Sequence, residues 1–123
     1  MNLKETTIST QAVYDGCLLH IRRDEVRLPD GNTSVREYNC HDGAVCIVPL
    51  TDDGRVLMER QYRYATGEVI TEIPAGKLDT PDEDPLEAAK RELREETGAT
   101  AREWIPLGLF YPCLLYTSDA ADE

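Results

Sequence analysis

Three glutamates crowd one short stretch of the sequence, KRELREETGA, at Glu92, Glu95 and Glu96. On an α-helix, residues three and four positions apart share a face, so these carboxylates would lie side by side. Each like-charge pair of this kind destabilises an isolated helix by about 0.2–0.5 kcal/mol. Carboxylate oxygens are also the ligands that Mg²⁺ prefers, and a bound divalent cation would offset the repulsion. The spacing therefore indicates either a solvated acidic face or a divalent-cation site.

The segment that must carry these glutamates has the marks of a helix with defined ends. Asp84 is a suitable N-cap residue, and Pro85 suits the first helical position. Gly98 suits the position just after a helix. Apolar residues recur with helical spacing between these ends, and the predicted buried stripe consists of Leu86, Ala89 and Leu93.

Strands and tight turns precede this helix. The pairs Asp30-Gly31 and Asp53-Gly54 predict turns. The apolar run GAVCIVPL suits a strand buried on both faces, and RVLMERQYRY alternates so that Leu57, Glu59, Gln61 and Arg63 share one face. The run WIPLGLFYP, after the helix, predicts a further strand. Strands, a helix and then another strand indicate a layered domain of the α/β or α+β class.

The composition excludes several classes of function. Asp and Glu number 24 against 13 Lys and Arg, a formal net charge of −11, which argues against binding to a nucleic-acid backbone. The N-terminus lacks the apolar segment of a signal peptide, and no apolar run is long enough to span a bilayer, so we expect a cytoplasmic protein. The four cysteines lack metal-binding spacing; we expect free thiols, with Cys17 and Cys46 as small core residues.

The last eleven residues, CLLYTSDAADE, differ in character from the rest of the chain. All of them match the in-frame translation of a transposase-type sequencing adapter. We therefore expect residues 113–123 to be a non-native tail and the natural sequence to be known only as far as Pro112.

The segment EIPAGKLDTPDEDPLEAAKRELREETGA resembles the signature of the Nudix hydrolases. The matching positions are Gly76, Glu83, Arg91, Glu92, Leu93, Glu95, Glu96, Gly98 and Ala99. Six residues rather than five follow Gly76, so Asp82 occupies the register of the family glutamate while Glu83 keeps the seven-residue spacing to Arg91. The stretches HDGAVCIVPL, QYRYATGEVITEIPAGKLD and GLFYP are similar to the ADP-ribose pyrophosphatase branch.

This resemblance implies a Nudix α/β/α sandwich with a mixed β-sheet, incomplete at the C-terminus. The Nudix domain would span residues 1–112, with N-terminal strands at about 8–40 and the core at about 41–112. The family also implies a homodimer to which the N-terminal strands contribute. No nucleic acid or membrane is expected as a partner.

The resemblance also implies a role for individual residues. Glu92, Glu96 and the backbone carbonyl of Ala75 would bind Mg²⁺, with Mn²⁺ as an alternative. Arg91 would hold the carboxylates in place, and its alternative is a surface salt bridge. Glu95 is the candidate within this sequence for positioning or deprotonating the attacking water, since the general base of this branch usually lies in a loop beyond Pro112.

Three charged residues match positions that contact the substrate in this branch. Arg36 and Arg63 would bind the diphosphate or ribose, because the guanidinium fork donates paired hydrogen bonds to phosphate. Glu72 matches an acid near the metal or the terminal ribose, and ordinary charged strand positions remain the alternative for all three. The implied reaction is Mg²⁺-dependent hydrolysis of ADP-ribose to AMP and ribose 5-phosphate. Alternatives are a pyrophosphatase for another nucleoside diphosphate sugar and a non-catalytic nucleotide-binding module.

Overall fold

The computed structural model describes residues 1–111, which form seven strands and one helix. The elements are β1 (Thr6–Asp15), β2 (His20–Arg27), β3 (Thr33–Asn39), β4 (Ala44–Cys46), β5 (Glu59–Arg63), β6 (Glu68–Glu72), β7 (Ala75–Lys77) and α1 (Pro85–Thr97). All strand pairs in this part of the chain are antiparallel, in sheets of order β1–β2–β3, β4–β7 and β5–β6. The α+β class is confirmed; the predicted tail at 113–123 lies outside the described residues.

The N-terminal sheet, β1–β2–β3, is held by two short turns. Gly16 N donates to Leu19 O (2.8 Å) between β1 and β2, and Leu28 N donates to Asn32 O (2.8 Å) between β2 and β3. Gly31 has a φ of 90°, a conformation that favours glycine, so the turn predicted at Asp30-Gly31 is confirmed.

One carboxylate is buried in this sheet. Asp24 on β2 is 7% exposed and lies opposite Arg36 of β3 in the strand register. The Tyr38 hydroxyl donates to Asp24 Oδ2 (3.0 Å), and this hydrogen bond raises the pKa of Tyr38 above its ordinary value. Asp24 Oδ1 has no hydrogen-bond partner within residues 1–111. Directly opposed residues of antiparallel strands point to the same face of a sheet. The buried acceptor Asp24 Oδ1 therefore belongs to the same face of the sheet as Arg36.

The helix α1 has the predicted ends. The Asp84 side chain accepts from Glu87 N (3.2 Å), Pro85 is the first helical residue, and Gly98 follows with a φ of 73°. The helix packs against β4 and β7, which brings it beside the turn that precedes the strand β7. No helix in the described range is both long and apolar enough to cross a membrane.

The buried face of α1 differs from the predicted stripe. Leu93 is buried, at 1% exposure, but Leu86 is 42% exposed and Ala89 is half-buried. Ala88 and Glu92 are the other buried residues of the helix. Helical geometry places Leu86 at the edge of the face that contains Ala88, Glu92 and Leu93, so its assignment to the core was wrong.

Two predicted strands are shortened or missing among residues 1–111. Strand β4 covers only part of the run GAVCIVPL, because β7 alone pairs with it and Pro49 has no amide to continue a ladder. Only Ile47 in that run is buried. The described part of WIPLGLFYP forms no strand, since Pro106 cannot donate and Gly108 has a φ of 125°.

The described cysteines are free thiols on the surface. Cys17 lies in the turn between β1 and β2, Cys40 follows β3, and Cys46 ends β4, and all three are exposed. The prediction of free thiols is confirmed for these residues. The core assignment of Cys17 and Cys46 was wrong, because a turn and a strand paired on one edge leave their side chains uncovered.

The contrast between Leu93 and Leu86 gives a stability prediction. Leu93→Ala should lower the free energy of unfolding by about 2–5 kcal/mol, because it leaves a cavity between α1 and the β4–β7 pair. Leu86→Ala, the same change on the same helix, should cost less than about 1 kcal/mol. Urea denaturation of both variants measures the difference, and equal costs would contradict the packing described for α1.

Candidate functional site

The carboxylate of Glu92 lies beneath Gly76, the middle residue of β7. Glu92 is 9% exposed, and a Cβ added to Gly76 would collide with Cδ and both carboxylate oxygens of Glu92. Any other residue at position 76 would have to displace this carboxylate. The glycine therefore provides the space in which Glu92 is buried.

The guanidinium of Arg91 joins the carboxylates of this region. Its Nη1 donates to Glu92 Oε1 (2.7 Å) and lies 3.5 Å from Glu95 Oε2, and its Nη2 donates to both oxygens of Glu83 (3.2 Å each). Asp79 approaches Nε at 3.4 Å. Burial acts to lower the pKa of Arg91, but the hydrogen bonds with Glu92 and Glu83 raise it above its ordinary value. Arg91 thus compensates several negative charges at once.

The extra residue after Gly76 is accommodated in the loop before the helix. Glu83 accepts from Arg91 and, through Oε2, from Asp79 N (2.6 Å), while Glu83 N donates to Thr80 O (3.2 Å). Asp82 is exposed. Glu83, which keeps the seven-residue spacing to Arg91, therefore makes the contact with Arg91. The extra residue is accommodated between Gly76 and Glu83.

Glu96 lies on another side of the same helix from Arg91 and is held by the backbone. Its Oε2 accepts a hydrogen bond from Ala75 N at 3.1 Å. Ala75, whose carbonyl was predicted to bind the metal, therefore also contacts the predicted metal ligand Glu96 through its amide. Glu95 lies between the two, with its side chain 60% exposed. The three glutamates thus point to three environments: a cradle under Gly76, solvent, and the start of β7.

Sequence reasoning missed Glu59 on β5, whose carboxyl group lies close to that of Glu96. Burial and the neighbouring carboxyl groups of Glu96 and Glu72 raise the pKa of the Glu59 carboxyl above its ordinary value. The strand register places Glu59 directly opposite Glu72. The alternation of β5 contained a signal for this position, because it put Glu59 on the same face as Arg63.

Two of the predicted substrate residues form an ion pair in this neighbourhood. Arg63 Nη2 lies 2.5 Å from Glu72 Oε1, and Arg63 Nε donates to the same oxygen at 3.1 Å. The hydrogen bond with Glu72 raises the pKa of Arg63, with smaller contributions from the negative charges of Glu59 and Glu96. Arg63 and Glu72 therefore lie in the same electrostatic environment as Glu96.

Arg36 lies in the N-terminal sheet with different partners. Its guanidinium donates to Glu5 (2.6 Å from Nη2, 3.0 Å from Nε), to Ser34 Oγ (3.0 Å) and to Val35 O (3.1 Å). Strand β3, which carries Arg36, packs against β2, whereas α1 packs against β4 and β7. The contacts within one described chain thus do not join Arg36 to the predicted metal ligands.

The predicted metal ligands form a suitable set of donors, although they do not converge. In the range 1–111, no three Asp, Glu, His or Cys side chains meet at one point as a metal-binding group, so the ligand assignment stays a prediction. The carboxylates of Glu92 and Glu96 are nevertheless hard oxygen donors on one helix, as Mg²⁺ requires. The Glu59–Glu96 pair also brings two carboxyl groups together, and a divalent cation would relieve their repulsion. The residues therefore fit such a cation.

Comparison with known proteins matches two family models to the chain. The NUDIX domain matches residues 41–119, and the nucleoside diphosphate sugar hydrolase N-terminal domain matches residues 5–39. An ADP-ribose pyrophosphatase of Bacillus subtilis (strain 168) is 40% identical over 110 residues, which are 89% of this chain and 59% of that protein. An ADP-ribose pyrophosphatase of Mycobacterium tuberculosis (strain ATCC 25618 / H37Rv) is 45% identical over 98 residues, 80% of this chain and 47% of that protein.

A solved structure is similar over most of the described fold. The crystal structure of an ADP compounds hydrolase matches with a TM-score of 0.70 and 29% identity, covering 84% of this chain and 56% of that chain. The predicted Nudix fold is therefore confirmed. The chain spans about half the length of the relatives it matches.

The two acidic residues at the insertion form a matched pair for a test. Glu83→Gln should lower the free energy of unfolding, because it removes the charge that faces Arg91 and weakens the acceptor for Asp79 N. Asp82→Asn removes the same charge from an exposed neighbour and should stay within about 0.5 kcal/mol of the wild type. Urea denaturation checks both; a larger effect of Asp82→Asn would show that Asp82 holds the family position.

Proposed function

Because this chain belongs to the Nudix family, we propose that it takes part in Mg²⁺-dependent hydrolysis of the diphosphate bond of ADP-ribose, yielding AMP and ribose 5-phosphate. The observation that carries the proposal is the Arg91 cluster, in which one guanidinium holds Glu83 and Glu92 while Glu96 is anchored to Ala75. Relatives named as ADP-ribose pyrophosphatases support the choice of substrate.

In the proposed site, Glu92, Glu96 and the carbonyl of Ala75 would hold Mg²⁺, with Mn²⁺ as an alternative. When bound, the cation neutralises phosphate charge and lowers the pKa of a water molecule that attacks phosphorus. Arg91 keeps Glu92 in its cradle and limits the repulsion among the carboxylates. Glu95, which is exposed beside them, helps to position or deprotonate the water.

The proposed substrate contacts come from charged side chains that already have partners. Arg63 and Arg36 bind the diphosphate through paired hydrogen bonds. Each guanidinium already donates two hydrogen bonds to a carboxylate, Arg63 to Glu72 and Arg36 to Glu5. Glu72 accepts hydrogen bonds from the ribose hydroxyls. The proximity of the Arg63–Glu72 pair to Glu96 supports this placement, since the cleaved bond must lie beside the metal.

A pyrophosphatase for another nucleoside diphosphate sugar is the second candidate. The match of residues 5–39 to a nucleoside diphosphate sugar hydrolase N-terminal domain favours it. The chemistry at phosphorus would be the same, and the two candidates differ in the base and sugar that are recognised. Release of AMP rather than GMP, UMP or CMP from a panel of nucleoside diphosphate sugars distinguishes them.

We also propose a homodimer formed through the N-terminal sheet and a cytoplasmic location. The sheet and its first turn expose several large apolar side chains, among them Ile8, Val13, Tyr14, Leu18 and Leu19. Clustered apolar exposure is typical of surfaces that other protein chains cover, and a two-fold dimer is the commonest arrangement. Free thiols at the described cysteines fit a reducing compartment.

Replacement of a predicted metal ligand tests the activity. Glu96→Gln should reduce Mg²⁺-dependent AMP release from ADP-ribose by roughly a hundredfold or more, since the amide keeps an oxygen for Ala75 N but loses the charge that binds the cation. Glu103→Gln, an exposed glutamate beyond the helix, should have no effect. Chromatography of the nucleotides measures the rates. Equal activity of the wild type and Glu96→Gln would remove Glu96 from the metal site.

Sedimentation equilibrium tests the dimer. The wild type should reach twice the monomer mass as its concentration rises, and Val13→Asp should shift it to the monomer by placing a charge on the apolar sheet. Val48→Asp introduces the same charge at a similarly exposed valine outside that sheet and should leave the mass unchanged. A wild type that stays monomeric throughout would exclude the homodimer.

A further inference from the structure

The guanidinium of Arg36 already holds an anion in its fork. Both oxygens of the Glu5 carboxylate are engaged, Oε1 by Nη2 at 2.6 Å and Oε2 by Nε at 3.0 Å. This two-point contact is the arrangement by which a guanidinium binds either a carboxylate or a phosphate. Glu5 and a phosphate group would therefore need the same two donor atoms of Arg36.

The position of Glu5 allows it to leave without disturbing the sheet. Glu5 directly precedes β1, whose ladder with β2 begins at the pair of Thr6 and Arg27. A rotation of the Glu5 side chain breaks none of the strand hydrogen bonds. The backbone of Glu5 is thus connected to the sheet through Thr6, and its side chain contacts Arg36 through the carboxylate alone.

Arg36 has other contacts that would keep it on the same face once Glu5 leaves. It donates to Ser34 Oγ (3.0 Å) and to Val35 O (3.1 Å), and neither contact involves Glu5. Asp24 lies opposite Arg36 in the register and adds a negative charge on that face of the sheet. Release of Glu5 would therefore expose an arginine that is still positioned.

The ion pair is weak enough to be displaced. The side chains of Arg36 and Glu5 are 45% and 35% exposed, and ion pairs exposed to this degree contribute little to stability because water screens them. A diphosphate carries two negative charges and offers more acceptor oxygens than one carboxylate. The exchange of Glu5 for a diphosphate is therefore favourable for a ligand of that class and unfavourable for a neutral one.

We propose that Glu5 sets the affinity for the substrate by competing with its diphosphate for the guanidinium of Arg36. The inference rests on the proposed function, in which Arg36 binds that diphosphate. Glu5 acts as an internal occupant of the phosphate position, and substrate binding displaces it. The opposite role, in which Glu5 orients Arg36 for the substrate, would change affinity in the opposite direction, so the two are separable by experiment.

The test measures binding of a non-hydrolysable ADP-ribose analogue, with a methylene bridge between its phosphorus atoms, by calorimetry in the presence of Mg²⁺. Glu5→Gln should tighten binding by up to about fivefold, because the amide has no charge with which to hold Arg36. Glu37→Gln is the matched control on β3, since Glu37 faces Arg23 (3.7 Å) rather than Arg36, and it should leave the Kd unchanged. Circular dichroism verifies that both variants are folded.

A second background shows whether the effect passes through Arg36. In the Arg36→Ala protein, binding should be weaker, and Glu5→Gln should then change nothing. Weaker or unchanged binding of Glu5→Gln in the wild-type background would overturn the competition. A wild type that neither binds the analogue nor releases AMP from ADP-ribose would instead overturn the proposed function, and the role of Glu5 with it.

Discussion

The interaction on which the candidate site depends is the contact of Arg91 with the carboxylates around it. Glu92 is nearly buried, and a buried carboxylate without a counter-charge is strongly destabilising. Arg91 supplies that charge from the adjacent helical position and binds Glu83 with its other nitrogen atoms. The same side chain therefore ties the loop before the helix to the helix itself.

This arrangement explains how one helix tolerates three neighbouring glutamates. Glu92 is neutralised by Arg91, Glu96 accepts a backbone hydrogen bond from Ala75, and Glu95 remains largely in water. The repulsion that the spacing implies is thus partly relieved by the protein alone. Repulsion remains between Glu59 and Glu96, where burial and the neighbouring carboxyl groups raise the pKa of Glu59. A divalent cation beside this pair would relieve that repulsion.

The sequence was informative wherever the determining contacts are local. The ends of α1 and the turn at Gly31 were predictable because capping and a positive φ depend on a few adjacent residues. The family resemblance implied that Arg91 holds carboxylates of this segment, but the choice between Glu83 and Asp82 depended on how the loop closes. Contacts across elements, such as that of Glu59 with Glu96, required the tertiary arrangement. Exposure of Leu86 likewise followed from which side of α1 meets the β4–β7 pair.

The two predicted phosphate-binding arginines belong to different parts of the molecule, and this constrains how a site could be completed. Arg63 shares the electrostatic environment of Glu96, whereas Arg36 finds its partners in the N-terminal sheet and the residue before it. A single diphosphate that contacts both must therefore bridge the N-terminal sheet and the helix. The proposed homodimer through that sheet would offer a second route, in which the diphosphate contacts Arg36 of one protomer and the carboxylates of the other. In either case Glu5 holds the guanidinium that the proposed site would use, so under the proposed competition the N-terminal segment influences binding at a site assembled by the rest of the chain.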